Sequence, residues 1–307
     1  MTKPSISQSQ KRLEESVGAL FLKSDETSGN ICLFLKSSTD VGVIRNGGRN
    51  GARFAPQSFI ASFKKFARHQ GIEKFRFVEV EVGNQLEEQT DFHLAQKQEA
   101  QRIRTIYLKH AGAHLCHLGG GHDHIYPLLT ALAPSYAKIV VINIDAHADT
   151  RTDENFHSGT PFRQFAQDYG GKFSLYQIGL HAFANATSTL CPLPQGTTEV
   201  LWRKDISNKL VAQFQRIRQE VDSKTLVIFS LDADALTAAE VPAVSAVNPA
   251  GITTGELRQV WHLYQELPLG HAPVVGIYEL NPLYDSLASL SMRTLGSFLY
   301  ECLGDER

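Results

Sequence analysis

The 307-residue sequence predicts an α/β fold with a largely parallel sheet and helices on both faces, and three observations carry that prediction. Short apolar, β-branched runs alternate with longer segments of helical spacing, as repeated βαβ units require. Several of these runs are apolar throughout instead of alternating, which suits strands buried on both faces of a parallel sheet. Acids, histidines and glycines follow directly on the carboxyl ends of the runs, the edge of such a sheet where ligands bind.

Taken in order, the first strand is expected over residues 31–35 and the first helix over 56–69. Strand 75–82 precedes helix 92–110, and strand 113–118 turns through three glycines into helix 122–132. Strand 138–144 leads to helix 160–169, and strands 173–178 and 198–202 lead to helix 206–221. Strand 226–231 is paired with helix 254–266, and strand 273–280 with helix 286–303. The chain shows no linker, low-complexity tract or internal repeat, so one domain over residues 1–307 is expected, with residues 1–15 loose.

Composition narrows the function. Hydrophobic residues make up 42% and charged residues 20%, ordinary for a globular protein with a full core. A formal charge of −2 argues against nucleic acid or an anionic membrane as the main partner. No apolar run approaches the ~18–20 residues of a membrane span, and residues 1–15 lack the apolar core of a signal peptide. Cys32, Cys116, Cys191 and Cys302 are scattered without a C-x-x-C pair, neither a zinc site nor a disulfide framework. A cytoplasmic address is the expectation.

The chemistry lies in two stretches, Asp145-Ala-His147-Ala-Asp149 and Asp232-Ala-Asp234, each directly after an apolar run. Side chains at i, i+2 and i+4 can project together where a strand ends. So many acids beside buried strands would cost several kcal/mol each without a neutralising partner, and metal is the obvious one. His122 follows Gly119-Gly120-Gly121 at another strand end, and Glu279 closes a fourth. Ligands His122, Asp145, His147, Asp149, Asp232 and Asp234 include four carboxylates, enough to balance two divalent ions. This oxygen-rich set with two imidazoles suits Mn²⁺. Two such ions lower the pKa of water and make hydroxide available near neutral pH. Of the other histidines, His110, His114 and His117 read as packing or surface residues. His124 reads as an orienting partner of a ligand, and His157 as a proton shuttle or a surface loop residue.

These residues identify a resemblance to the ureohydrolase family of arginase and agmatinase, most closely its formimidoylglutamase branch. It runs from about Asp40 onward and rests on Gly120-Gly121-His122, Asp145-Ala-His-Ala-Asp149, Ser230-Leu-Asp-Ala-Asp234 and Glu279-Leu-Asn-Pro282. The resemblance implies a three-layer αβα sandwich, the six ligands above holding two Mn²⁺ per subunit, and a homo-oligomer. The branch is suggested by residues 42–52, 158–163 and 242–246. The chain departs from arginases where Ser158 stands in place of a histidine, with His157 one residue earlier. It also lacks the further aspartate many relatives carry after Asp234.

The expected reaction is hydrolysis of N-formimidoyl-L-glutamate to L-glutamate and formamide. Glu279 would hold the amidinium, and Asp149 would carry a proton to the leaving amine, with His157 a further acid/base candidate. Arg45, Arg49 and Arg163, with Asn46, are the candidates for the substrate carboxylates, because guanidinium matches carboxylate bidentately. The alternatives are another amidine or guanidine hydrolase of the family, a single-zinc deacetylase, or a non-catalytic scaffold. The deacetylase would need only one D-x-H and one further Asp.

Overall fold

A computed structural model describes residues 8–22, 30–83, 91–190 and 192–304. The chain begins with helix α1 (Gln8–Glu14), strand β1 (Asn30–Ser37), then helices α2 (Val41–Arg45), α3 (Ala55–Phe63) and α4 (Gln70–Glu73). Next come β2 (Phe75–Glu81), α5 (Phe92–Lys109), β3 (His114–Gly119), α6 (Ile125–Leu132) and β4 (Lys138–Ile144). The second half adds α7 (Pro161–Tyr169), β5 (Phe173–Leu180), β6 (Thr197–Trp202), α8 (Ile206–Glu220) and β7 (Thr225–Asp232). It ends with α9 (Thr254–Gln265), β8 (Val274–Tyr278) and α10 (Leu290–Gly304).

The eight strands among the described residues join one sheet in the order β2-β1-β3-β8-β7-β4-β5-β6, and every neighbouring pair is parallel. Alternation along each strand feeds two cores. Val140 and Ile142 of β4 pack into one with Phe59, Phe214, Trp261 and Phe298 from α3, α8, α9 and α10. Ile139 and Val141 pack into the other with Ile103, Leu128 and Phe165 from α5, α6 and α7. Burial on both faces is why the strands carry continuous apolar runs. Chain order and sheet order differ: β7 and β8 return to the middle, so β3, β8, β7 and β4 stand side by side. Their carboxyl ends form one rim.

Several boundaries differ from the sequence expectation. The helix expected over 56–69 stops at Phe63. The one expected over 122–132 opens as a 3₁₀ turn, His122–His124, before α6. The last helix starts at Leu290, later than residue 286, because the Asp285 carboxylate accepts the N–H groups of Ser291 and Met292 at 3.0 and 3.3 Å. Of the first 15 residues, expected to be loose, residues 8–14 form α1, and residues 1–7 lie outside the described part. Cys32, Cys116 and Cys302 are buried, while Cys191 lies outside the described residues. Among the described residues no helix is long and apolar enough to cross a membrane.

Candidate metal centre

The bend after β3 brings His122 over the ends of β4, β7 and β8. It passes so close to the neighbouring loop that a Cβ on Gly120 would sit 2.0 Å from the Thr39 carbonyl oxygen, so only glycine fits there. His122 Nδ1 then lies 3.2 Å from Asp145 Oδ2, 3.0 Å from Asp149 Oδ2 and 3.1 Å from Asp232 Oδ2. A second cluster joins Asp145, His147 and Asp234, with His147 Nδ1 3.1 Å from Asp234 Oδ2 and 3.7 Å from Asp145 Oδ1. Asp145 belongs to both clusters and turns one carboxylate oxygen to each.

Neutral groups hold these side chains in place. Ser230 Oγ meets His122 Nε2 at 2.9 Å, and the imidazole stacks on Tyr278 with centroids 4.8 Å apart. Asn143 Nδ2 donates to Asp145 Oδ2 at 3.1 Å, and the His147 N–H donates to Asp145 Oδ1 at 2.7 Å. The Asp234 N–H donates to Asp232 Oδ1 at 2.9 Å. Glu279 Oε1 accepts the His122 N–H at 3.0 Å. Asp149 and Glu279 have φ of 51° and 63°, a left-handed conformation that non-glycine residues adopt only where the surroundings impose it.

The electrostatics call for positive charge. Burial pushes the Asp145 carboxyl up to about 6, with the charge of Asp149 adding to it. Burial and the charges of Asp234 and Asp145 raise Asp232 well above the carboxylate range. Glu279 is pushed up to about 8, first by burial. The imidazoles respond in the opposite sense: the Asp234 charge carries His147 up to about 11. Burial would lower His122, but Asp145, Asp149 and Asp232 hold it well above its ordinary value. Asp234 Oδ1 is buried with no hydrogen-bond partner among the described residues. Four carboxylates, two imidazoles and an orphaned carboxylate oxygen fit divalent cations.

Both clusters open into a cleft of about 290 Å³, close to the smaller end of small-molecule sites. His147, Asp149, Asp232, Asp234 and Glu279 form its acidic floor, and Asn46, Arg151, Ser158, Asn185 and Ser245 contribute to its wall. Asn46 was expected here; the three arginines proposed with it are not among the lining residues. Arg45 donates to the Phe156 carbonyl at 3.0 Å and stacks on Phe92. Arg49 donates to the Val244 carbonyl and stacks on Tyr284 at 3.9 Å. Arg163 donates to the Thr150 and Pro192 carbonyls at 2.8 and 3.1 Å. Each guanidinium thus braces a loop. His157 also turns aside: its Nε2 meets Asp153 at 2.7 Å, and its Nδ1 accepts the Gly159 N–H at 3.0 Å. His124 is held by Glu99 at 3.0 Å and touches no ligand side chain.

Sequence reasoning missed Arg151, whose Nη1 donates to Asn46 Oδ1 at 3.2 Å. It stands two residues beyond Asp149, so the same alternation that revealed the ligands contained the signal. Asn185 carried no local signal for the site, because the partners that tie it to the His147 loop are 37 and 39 residues away.

A parallel sheet delivering two joined His/Asp clusters from three strand ends, and Glu279 from a fourth, into one cleft defines a metal-dependent hydrolase. The chain belongs to the arginase family, whose sequence profile matches residues 40–304, and as a member it is a ureohydrolase acting on amidine C–N bonds. It is 29% identical over 311 residues to the formimidoylglutamase of Photorhabdus laumondii subsp. laumondii, covering 92% of each chain. Its fold is similar to that of the Bacillus subtilis formimidoylglutamase, with a TM-score of 0.80 at 18% identity over 99% of this chain and 94% of the other. It is also similar to a Trypanosoma cruzi formiminoglutamase solved with Mn²⁺, with a TM-score of 0.77 at 23% identity over 95% and 99%.

Proposed function

We propose that this chain hydrolyses N-formimidoyl-L-glutamate to L-glutamate and formamide at a centre holding two Mn²⁺ ions per subunit. The observation that carries the reading is the sharing of Asp145 between two clusters that open, with Glu279, into one cleft. His122, Asp145, Asp149 and Asp232 are proposed to hold one ion, and Asp145, His147 and Asp234 the other. Bound there, the ions lower the pKa of water and supply hydroxide near neutral pH.

The residues of the chain do the rest. The cationic amidine enters an acidic cleft, where the Glu279 carboxylate pairs with its nitrogens and fixes the plane for attack. Water adds to the formimidoyl carbon, the bond to the glutamate nitrogen breaks, and formamide separates from the amine. Asp149, on the cleft floor, carries the proton that the poor leaving group requires. Arg151, with Asn46, supplies the cation for a substrate carboxylate. The formimidoylglutamase name of the relatives supports this choice of substrate, and family resemblance supports a homo-oligomer.

The test is product release from Mn²⁺-loaded enzyme offered formimidoylglutamate, arginine, agmatine and guanidino acids. Formamide from formimidoylglutamate supports the reading. Urea from a guanidine, with no turnover of formimidoylglutamate, replaces it with another family activity, and one zinc per chain would favour the deacetylase alternative.

A further inference from the structure

We propose that Asn185 is a positioning residue for His147, and through it for the Asp145/His147/Asp234 cluster; the proposal rests on reading that cluster as a metal site. Asn185 lies on the loop beyond β5, and its side chain is buried, with 8% of the residue exposed. Its Oδ1 accepts the Ala148 N–H at 2.8 Å. Its Nδ2 donates to the Ala146 carbonyl at 2.8 Å and to the His181 carbonyl at 2.8 Å. The Ala146 carbonyl belongs to the peptide preceding His147, and the Ala148 N–H to the peptide following it. One carboxamide therefore pins both peptide planes that flank the His147 Cα, and those planes set its φ and ψ.

The two imidazoles are oriented by different means. The His122 ring is gripped directly, by Ser230 at Nε2 and by Tyr278 across its face. The His147 ring receives no hydrogen bond from a neutral group among the described residues and meets the carboxylates of Asp234 and Asp145. Its direction is set from the backbone: the His181 N–H at 3.1 Å and Asp145 Oδ1 at 2.7 Å also hold the peptide before His147, but Asn185 is the side chain that holds the peptides on both sides of it. A carboxamide is needed because the position calls for one acceptor and two donations from a single short side chain. Gln177 supports the same loop by donating to the Ala148 carbonyl at 2.6 Å, but that group belongs to the peptide beyond the two that flank His147.

The test is Mn²⁺ titration of the metal-stripped full-length chain, read by the electron paramagnetic resonance of free and bound ion, for wild type, Asn185→Ala and Asn185→Ser. Wild type is expected to bind two equivalents and to show the signal of a coupled pair. Both variants should keep one equivalent at wild-type affinity and bind the second about 10- to 100-fold more weakly, with the coupled signal lost at stoichiometric metal. Their metal-free thermal midpoints should stay within a few degrees of wild type. Two equivalents bound with unchanged constants, or both weakened alike, overturn the proposal. A collapse of the metal-free midpoint in both variants also overturns it, because Asn185 would then support the fold and not one site. Fewer than two equivalents in wild type overturns the two-site reading itself, and this inference with it.

Discussion

Asp145 turns one oxygen to each cluster, so its loss should be felt differently from that of its neighbours. Asp145→Ala is expected to lose both metal equivalents, whereas Asp149→Ala should weaken only the His122 cluster; metal analysis after gel filtration distinguishes the two. Asp232→Ala should abolish activity and lower metal content. At the cleft wall, Arg151→Ala should raise KM for formimidoylglutamate about 10- to 100-fold, the scale of a charged hydrogen bond, while Arg163→Ala should leave KM unchanged. Steady-state kinetics giving the reverse order would return the carboxylate contact to Arg163. The acids were legible in the sequence because alternation at a strand end is local. The arginines were not: adjacent Arg45 and Asn46 diverge, one to the Phe156 carbonyl and one into the cleft, and only the path of the loop decides which.

All eight strands and the seven longer helices could be read from apolar runs and helical spacing, because burial on two faces leaves so strong an imprint. Helices α2 and α4, of five and four residues, are too short to show a period and owe their form to tertiary contacts. At the start of α9, Thr253 Oγ1 accepts the Glu256 N–H at 3.1 Å and Glu256 accepts the Thr253 N–H at 2.8 Å. Thr253→Ala should cost about 1 kcal/mol in urea denaturation. Glu220, at the end of α8, ties that helix to β4 and β5. It accepts from Lys138 at 2.6 Å, Tyr176 at 2.6 Å and Ser174 at 2.9 Å. Burial opposes its ionisation, but Lys138 and the two hydroxyls lower its pKa below the ordinary value. A lowered folded-state pKa stabilises above the unfolded value, near ~4.3, and that stability is lost as pH falls through the folded value. Glu220→Gln should therefore destabilise the protein at pH 7 and converge with wild type in strong acid.

At the scale of the molecule, the centre exists because β7 and β8 insert between β3 and β4. That order was not legible, since pairing between strands as far apart in the chain as Leu115 and Val274 or Lys138 and Thr225 leaves no local pattern. Without it, His122 and Asp145 would not meet. Metal bound only by the folded chain should stabilise it, by about 2.7 kcal/mol for each independent site at a hundredfold excess over Kd. A chelator should accordingly lower the thermal midpoint, and re-addition of Mn²⁺ should restore it. An unchanged midpoint would mean that the clusters take up no metal in the native state.

The cleft wall draws on residues 46–48, Arg151, Ser158, residues 184–185 and 245–246, whereas the acids and imidazoles sit at the ends of four central strands. Selectivity and chemistry therefore ride on different stretches of chain. A lineage can exchange the wall loops, trading one amidine or guanidine for another, without ever passing through an ancestor that has lost its metals.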